Sequence, residues 1–105
     1  VQDMVARMGM DLFVSRLMAY NAARKLEQGQ KVTLHASFTK LFASEASVRS
    51  TLDGIQLLGG YGYVREYGVE RLMRDSKLVE IGGGTSQIQK LIIAREMYAQ
   101  AGYKM

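Results

Sequence analysis

An all-α fold is predicted by three features of the sequence. Apolar residues recur at helical spacing through most of the chain. The 105 residues contain no proline, so nothing interrupts a long helix. The 11 glycines are concentrated between the periodic segments, where the chain must turn. With 48% hydrophobic residues the chain can bury a core, and 11.7 kDa is at most one domain.

A first helix is expected over roughly residues 2 to 27. Met4, Met8 and Leu12 mark one apolar face, while Val14, Leu17 and Met18 add a second, so burial on two sides is expected. Gln28-Gly29-Gln30 supplies a C-cap, and Thr33 can start the next helix. Leu34, Phe38, Leu41, Val48, Leu52 and Ile55 then keep a heptad-like spacing that carries a second helix to about Leu58. Glu45 fills the gap in that stripe. A carboxylate on an apolar seam needs a partner, so it reads as a structural ion pair or as a base. A shorter helix is expected over residues 64 to 77 and a last one over 86 to 101. The four segments suit part of an antiparallel bundle. There is no internal repeat, low-complexity stretch or linker.

The 14 Lys and Arg against 10 Asp and Glu give a net charge of +4 and a pI near 9.5. That excess suits an anionic ligand, nucleic acid, or an acidic partner domain. The basic residues are scattered among acids and form no run. Zero cysteines excludes disulfides and thiolate metal sites and fits a reducing compartment such as the cytoplasm. No apolar run approaches membrane-spanning length, and the first residues do not read as a secretory signal. His35 is the single histidine and has no supporting ligands at metal-binding spacing, so no metal site is expected.

The stretch Ile81-Gly82-Gly83-Gly84-Thr85-Ser86-Gln87-Ile88-Gln89 carries the most information. Three consecutive glycines let the backbone take left-handed angles and let a ligand approach closely. Ser86 with Gln89 three residues on fits a capping box, followed by Ile88, Leu91 and Ile92 at helical spacing. The first N–H groups of that helix would point out of the glycine loop, where the dipole favours an anion or a carbonyl oxygen. The same residues would also make a tight turn.

A second cluster, Gln56-Leu57-Leu58-Gly59-Gly60-Tyr61-Gly62-Tyr63, precedes Glu70-Arg71-Leu72-Met73-Arg74-Asp75 and the triple glycine. Read in order, QLLGGYGYVREYGVERLMRDSKLVEIGGGTSQIQKLIIAR resembles the C-terminal segment of the acyl-CoA dehydrogenase family, as does the preceding Lys40-Leu41-Phe42-Ala43-Ser44-Glu45. The resemblance covers essentially the whole chain and is densest from about residue 40 to 95.

It implies the C-terminal helices of an acyl-CoA dehydrogenase-type up-and-down four-helix bundle. Residues 1–105 would be part of that domain, with its first helix ahead of Val1. It further implies oxidation of an acyl-CoA thioester to its trans-2-enoyl form, with a carboxylate removing the α-proton and hydride passing to FAD. Gln56, Leu57, Leu58, Gly59 and Gly60 match a segment that approaches the FAD of a neighbouring subunit. Thr85, Ser86 and Gln87 match one that lies against FAD, and Gly84 matches a position bordering the thioester. Implied partners are an acyl-CoA substrate, an electron-transfer flavoprotein as acceptor and further copies of the chain, commonly in a tetramer. Neither nucleic acid nor a membrane span is implied, and the place is the cytoplasm or, in a eukaryote, the mitochondrial matrix.

One departure stands out. Many members carry the catalytic glutamate where this chain has Gly83, and glycine has no side chain to accept a proton. A branch that includes isovaleryl-CoA and long-chain acyl-CoA dehydrogenases places the base on a much earlier helix, which would precede Val1. No catalytic residue is therefore expected here, and a non-catalytic subunit or a free-standing helical interaction module are the rival readings. Glu80, the nearest carboxylate, reads as structural. Glu70, Arg71, Arg74 and Asp75 read as an ion-pair network joining helices or as a phosphate clamp. Tyr61 and Tyr63 would wall a ligand pocket or simply pack, and the seven methionines read as core filler.

Overall fold

The computed structural model describes residues 1–103. Its helices are α1 (Gln2–Glu27), α2 (Thr33–Leu58), the short α3 (Gly60–Tyr63), α4 (Val69–Ile81) and α5 (Ser86–Gln100), with a 3-10 turn at Arg65–Tyr67. Both long helices match their expected bounds. The Gly29 cap forms as well: Gly29, at φ +76, donates to the Leu26 carbonyl and Gln30 to that of Lys25. This pair of bonds closes the last turn of α1.

α2 is the axis of the molecule, and α1, α4 and α5 pack against it. Its surface explains why. Ser37, Ser44 and Ala46 are its buried residues, and their small side chains let neighbouring helices come close. The hydroxyl cost is met locally, since Ser44 donates to the Lys40 carbonyl at 2.6 Å and Thr51 to that of Ser47 at 2.9 Å. Gly54 gives the same access to Val69, whose Cγ1 would lie 3.3 Å from an added Cβ.

Directions follow from the contacts. α1 and α2 form a hairpin, crossed by the Arg49–Asp11 ion pair at 3.1 Å. Along α4, Val69 meets Gly54, Ser76 accepts from Ser47 at 2.9 Å, and the Glu80 carbonyl meets Lys40, so α4 runs antiparallel to α2. α5 continues the same way, from a start beside Glu45 to Glu96, which pairs with Lys31 at 3.4 Å. Up-and-down alternation therefore holds over three passes, the last being α4 and α5 in tandem. The glycine loop between them is a joint in a strut.

The third helix departs from expectation. Instead of residues 64 to 77, α4 spans Val69–Ile81 because Gly68 takes a left-handed φ of +75 and Val64 is extended. The 64–68 stretch becomes a 3-10 turn. α1 also departs: Met4, Met8, Val14 and Met18 are half-buried, but Leu12 is 53% exposed, Phe13 64% and Leu17 53%. The two expected faces are thus divided differently: Met4, Met8, Val14 and Met18 turn inward together, and the side carrying Leu12, Phe13 and Leu17 is uncovered within this chain. The radius of gyration of 16.4 Å exceeds the roughly 13 Å of a compact chain this long, and the shape is 52 × 23 × 23 Å. Ala46 is the one apolar residue among those described that falls in the buried class.

Candidate functional site

α4 stops where Gly82 turns extended, at φ −70 and ψ 148. Gly83 and Gly84 then pass through positive φ, at +70 and +111, angles that a side chain resists. Thr85 is extended, and its side chain accepts from the Ile88 N–H at 3.3 Å. Thr85 is thus the N-cap, and the expected capping box of Ser86 with Gln89 does not form. A cap reaches the N–H two or three residues on, and Ser86 is already helical. Gln89 is instead buried, with its amide nitrogen 2.6 Å from where a Gly84 Cβ would stand.

Two features leave this helix start open to a ligand. Among the described residues, none of the N–H groups from Gly83 to Gln87 donates to another backbone carbonyl. Ser86 Oγ is buried with no hydrogen-bond partner, which is costly unless something else supplies one.

Lys40, on the half-buried side of α2, reaches across to the loop. Its Nζ donates to the Glu80 carbonyl at 2.9 Å and to the Gly84 carbonyl at 2.8 Å. It thereby satisfies one of the four orphan carbonyls at the end of α4 and adds a cation where the dipole favours one. Sequence reasoning assigned Lys40 to a family-like motif and gave it no role; its only signal was a lysine on a largely apolar helix.

A cavity of about 340 Å³ lies beside the start of α5, lined by Glu45, Lys77, Glu80, Thr85, Ser86 and Gln87, among others. Among the described residues Glu45 makes no ion pair within 4 Å, against expectation. Lys77 is already held by Glu80 at 2.8 Å, and the cavity leaves Glu45 half-exposed and solvated. That pairing also accounts for Glu80 as a structural residue. The charged group on α4 behaves likewise: Arg74 with Glu70 at 2.8 Å and Arg71 with Asp75 at 3.8 Å are pairs within one helix, so they do not join helices.

The second glycine cluster sits at the far end of α2. Gly59, at φ +61 and ψ −135, ends the helix. Gly62 is buried against the previous turn, where a Cβ would fall on the Ile55 carbonyl and 2.8 Å from Ile55 Cα. Gln56, Leu58, Gly59 and Gly60 are exposed, Leu57 half-buried. Tyr61 leans on Tyr67, ring centroids 5.3 Å apart, whereas Tyr63, though exposed, lines an open cavity with Ile55, Val64, Met73 and Arg74. From Glu45, beside Thr85–Gln87, to Gln56 the helix rises about 16 Å. The two predicted cofactor segments therefore belong to separate places on one copy. Among the described residues no cluster of His, Asp or Glu could hold a metal, and His35 packs edge-on to Phe38.

Residues 1–98 match the family model for the acyl-CoA dehydrogenase C-terminal domain. The chain belongs to the acyl-CoA dehydrogenase family. A cyclohexane-1-carbonyl-CoA dehydrogenase of Geobacter metallireducens is 45% identical over 96% of this chain and 27% of its own length. Butyryl-CoA dehydrogenase of Megasphaera elsdenii is similar in structure, with TM-score 0.88 and 35% identity over 91% of this chain and 25% of that one. The FAD complex of PigA gives TM-score 0.90 and 36% identity over 94% and 26%. The chain thus spans about a quarter of the length of the relatives it matches. Its helices are those of the acyl-CoA dehydrogenase C-terminal domain, and no helix among the described residues is long and apolar enough to cross a membrane.

Proposed function

We propose that the full-length protein is a flavin-dependent acyl-CoA dehydrogenase, and that residues 1–105 form part of its C-terminal helical domain. The reaction is oxidation of an acyl-CoA thioester to the trans-2-enoyl-CoA. The observation that carries this reading is the glycine loop opening onto the capped N-terminus of α5, in a chain matched to the family's C-terminal domain over residues 1–98.

The residues present fit a flavin. The orphaned Ser86 hydroxyl and the free N–H groups from Gly83 to Gln87 are donors without a protein acceptor, and two glycines leave room beside them. Thr85, Ser86 and Gln87 would hold FAD from one copy, and Gln56, Leu57, Leu58, Gly59 and Gly60 from another. A homo-oligomer is part of this reading, with each FAD held by one segment from each of two copies. Bound there, FAD supplies the hydride acceptor. Gly84 borders the thioester, whose oxygen is drawn to the donors of the loop.

This segment binds and orients and does not itself move the α-proton. Gly83 has no carboxylate, and Glu80 is engaged by Lys77. The base lies on an earlier helix, outside this chain, so residues 1–105 alone are expected to be inactive. The electron acceptor is an electron-transfer flavoprotein, and the compartment is the cytoplasm or mitochondrial matrix, in keeping with a chain without cysteine.

Gly83 also favours a second reading, a non-catalytic subunit in a mixed oligomer. The visible spectrum of the full-length gene product, before and after anaerobic addition of acyl-CoAs, separates the two. A flavin band bleached by one of them supports the dehydrogenase. A band that none bleaches favours the non-catalytic subunit, and a protein without flavin refutes both.

A further inference from the structure

We propose that Lys40 is a positioning residue for the reaction: its ammonium clamps the glycine joint to α2 and polarises the Gly84–Thr85 peptide, sharpening the donors that face the bound thioester and flavin. The inference rests on the function proposed above, but the clamp itself is argued from geometry alone.

α4 and α5 run in the same direction along α2, so the joint between them closes no hairpin. Within the connection only the Gly82 N–H on the Leu78 carbonyl, at 2.7 Å, and the Thr85 cap hold it. Gly83 and Gly84 have no side chain to lock their angles, and among the described residues no backbone bond engages the N–H groups from Gly83 to Gln87. What fixes the joint is Lys40, which grips both sides of it: the Glu80 carbonyl at the end of α4 and the Gly84 carbonyl at the threshold of α5. These are charge-assisted bonds, about twice as strong as neutral ones. They leave from a half-buried position on the best-supported helix of the molecule.

The second consequence is electronic. The Gly84 carbonyl and the Thr85 N–H belong to one planar peptide group. An ammonium 2.8 Å from the oxygen draws electron density toward it and makes the N–H on the other side a stronger donor. Through the Glu80 carbonyl Lys40 does the same for the Ile81 N–H, but that group lies inside α4, whereas Thr85 N–H lies in the free row. Gln89 confines the loop from the opposite side, its amide against the Gly84 Cα. Donors fixed before the substrate arrives stabilise charge developing in the transition state without reorganisation. Loss of the clamp should therefore affect the rate of the chemical step more than substrate affinity.

The test uses the full-length flavoprotein with Lys40→Met, which keeps the apolar stem and removes every donor, and Lys40→Arg, which keeps the charge. Amide hydrogen exchange at Gly82, Ile88 and Gln89, the hydrogen-bonded amides on either side of the loop, should rise about tenfold or more in Lys40→Met, with α1 peptides unchanged, and return to within about threefold of wild type in Lys40→Arg. In anaerobic stopped-flow, the limiting rate of flavin bleaching by acyl-CoA, counted per bound flavin, should fall about tenfold in Lys40→Met. The half-saturating concentration should move by less than about threefold. Unchanged exchange at Gly82, Ile88 and Gln89 overturns the clamp. Faster exchange with an unchanged rate per bound flavin overturns the positioning role. If Lys40→Met cannot be isolated with flavin, Lys40→Gln carries the same comparison. A wild-type protein that no acyl-CoA bleaches refutes the proposed function and the positioning role with it, while exchange still decides the clamp.

Discussion

Gly84→Ala places a single methyl group where two independent costs meet. The first is conformational: Gly84 sits at φ +111, and an L-residue held in such a region costs about 1–3 kcal/mol. The second is spatial: the new Cβ would stand 2.6 Å from the Gln89 amide nitrogen. Gln89 belongs to a flexible residue type, but it is only 7% exposed, so its amide has little room to swing away. Crowding of this kind costs about 1 kcal/mol or more. Together they predict a local destabilisation of about 2–4 kcal/mol, which speeds exchange of the hydrogen-bonded amides of Gly82, Ile88 and Gln89 by about 30- to 1,000-fold when opening is rapid and reversible. The assay is exchange followed by mass spectrometry on the full-length protein. Gly83→Ala is the control, because a Cβ there meets nothing within 4 Å and the φ of +70 alone costs about 1–2 kcal/mol. Adding Gln89→Ala to Gly84→Ala should recover the spatial share and leave the conformational one. A Gly84→Ala protein whose loop exchanges no faster than that of Gly83→Ala would refute the reasoning.

Thr85→Ala should destabilise the start of α5 by about 1 kcal/mol through loss of its cap, seen as faster exchange at Ile88. Ser86→Ala removes an unpartnered buried hydroxyl, so the flavin-free protein should be as stable as wild type or more so, while flavin affinity measured by fluorescence titration drops about tenfold. Equal effects of the two variants on the flavin-free protein would contradict the register of the cap. Gly62→Ala should cost about 1–3 kcal/mol, since its Cβ meets Ile55 backbone that has no rotamer to change; an unchanged melting temperature would contradict this. For Arg49 and Asp11, a double-mutant cycle with Arg49→Met and Asp11→Asn should give a coupling below about 1 kcal/mol that weakens further in salt, because Arg49 is 43% exposed.

The long helices were legible because each repeats one pattern for 26 residues, and Gly29 stops α1 by a mechanism that local sequence states outright. The third helix was misplaced because its start depends on Gly68, a single residue in a run already rich in glycine, and periodicity through Val64 and Val69 looks continuous across it. The glycine loop was legible as a place where backbone is exposed, but the cap was read one residue late. Thr85 and Ser86 are both good caps, and sequence cannot tell which is already inside the helix. Lys40 was not legible at all as part of the site. Its partners are main-chain carbonyls, 40 and 44 residues away, and a carbonyl leaves no trace in the identity of its residue. Glu45 failed for a related reason, since its partner was inferred from polarity alone and Lys77 proved nearer to Glu80.

The position of the joint has a structural logic of its own. A helix start presents free N–H groups wherever it occurs, but at a hairpin those groups sit at the end of the bundle, where the loop is held from one side only. By breaking the third pass in the middle, the chain places the α5 N-terminus against the flank of α2. There it can be held from beneath by Lys40, while Ser47 and Ser76 anchor α4 and Lys31 and Glu96 anchor α5. The glycines then supply close access without supplying motion, because rigidity comes from α2. α1 packs on α2 away from the joint, and the residues that hold the loop directly, Lys40 and Gln89, lie on α2 and α5.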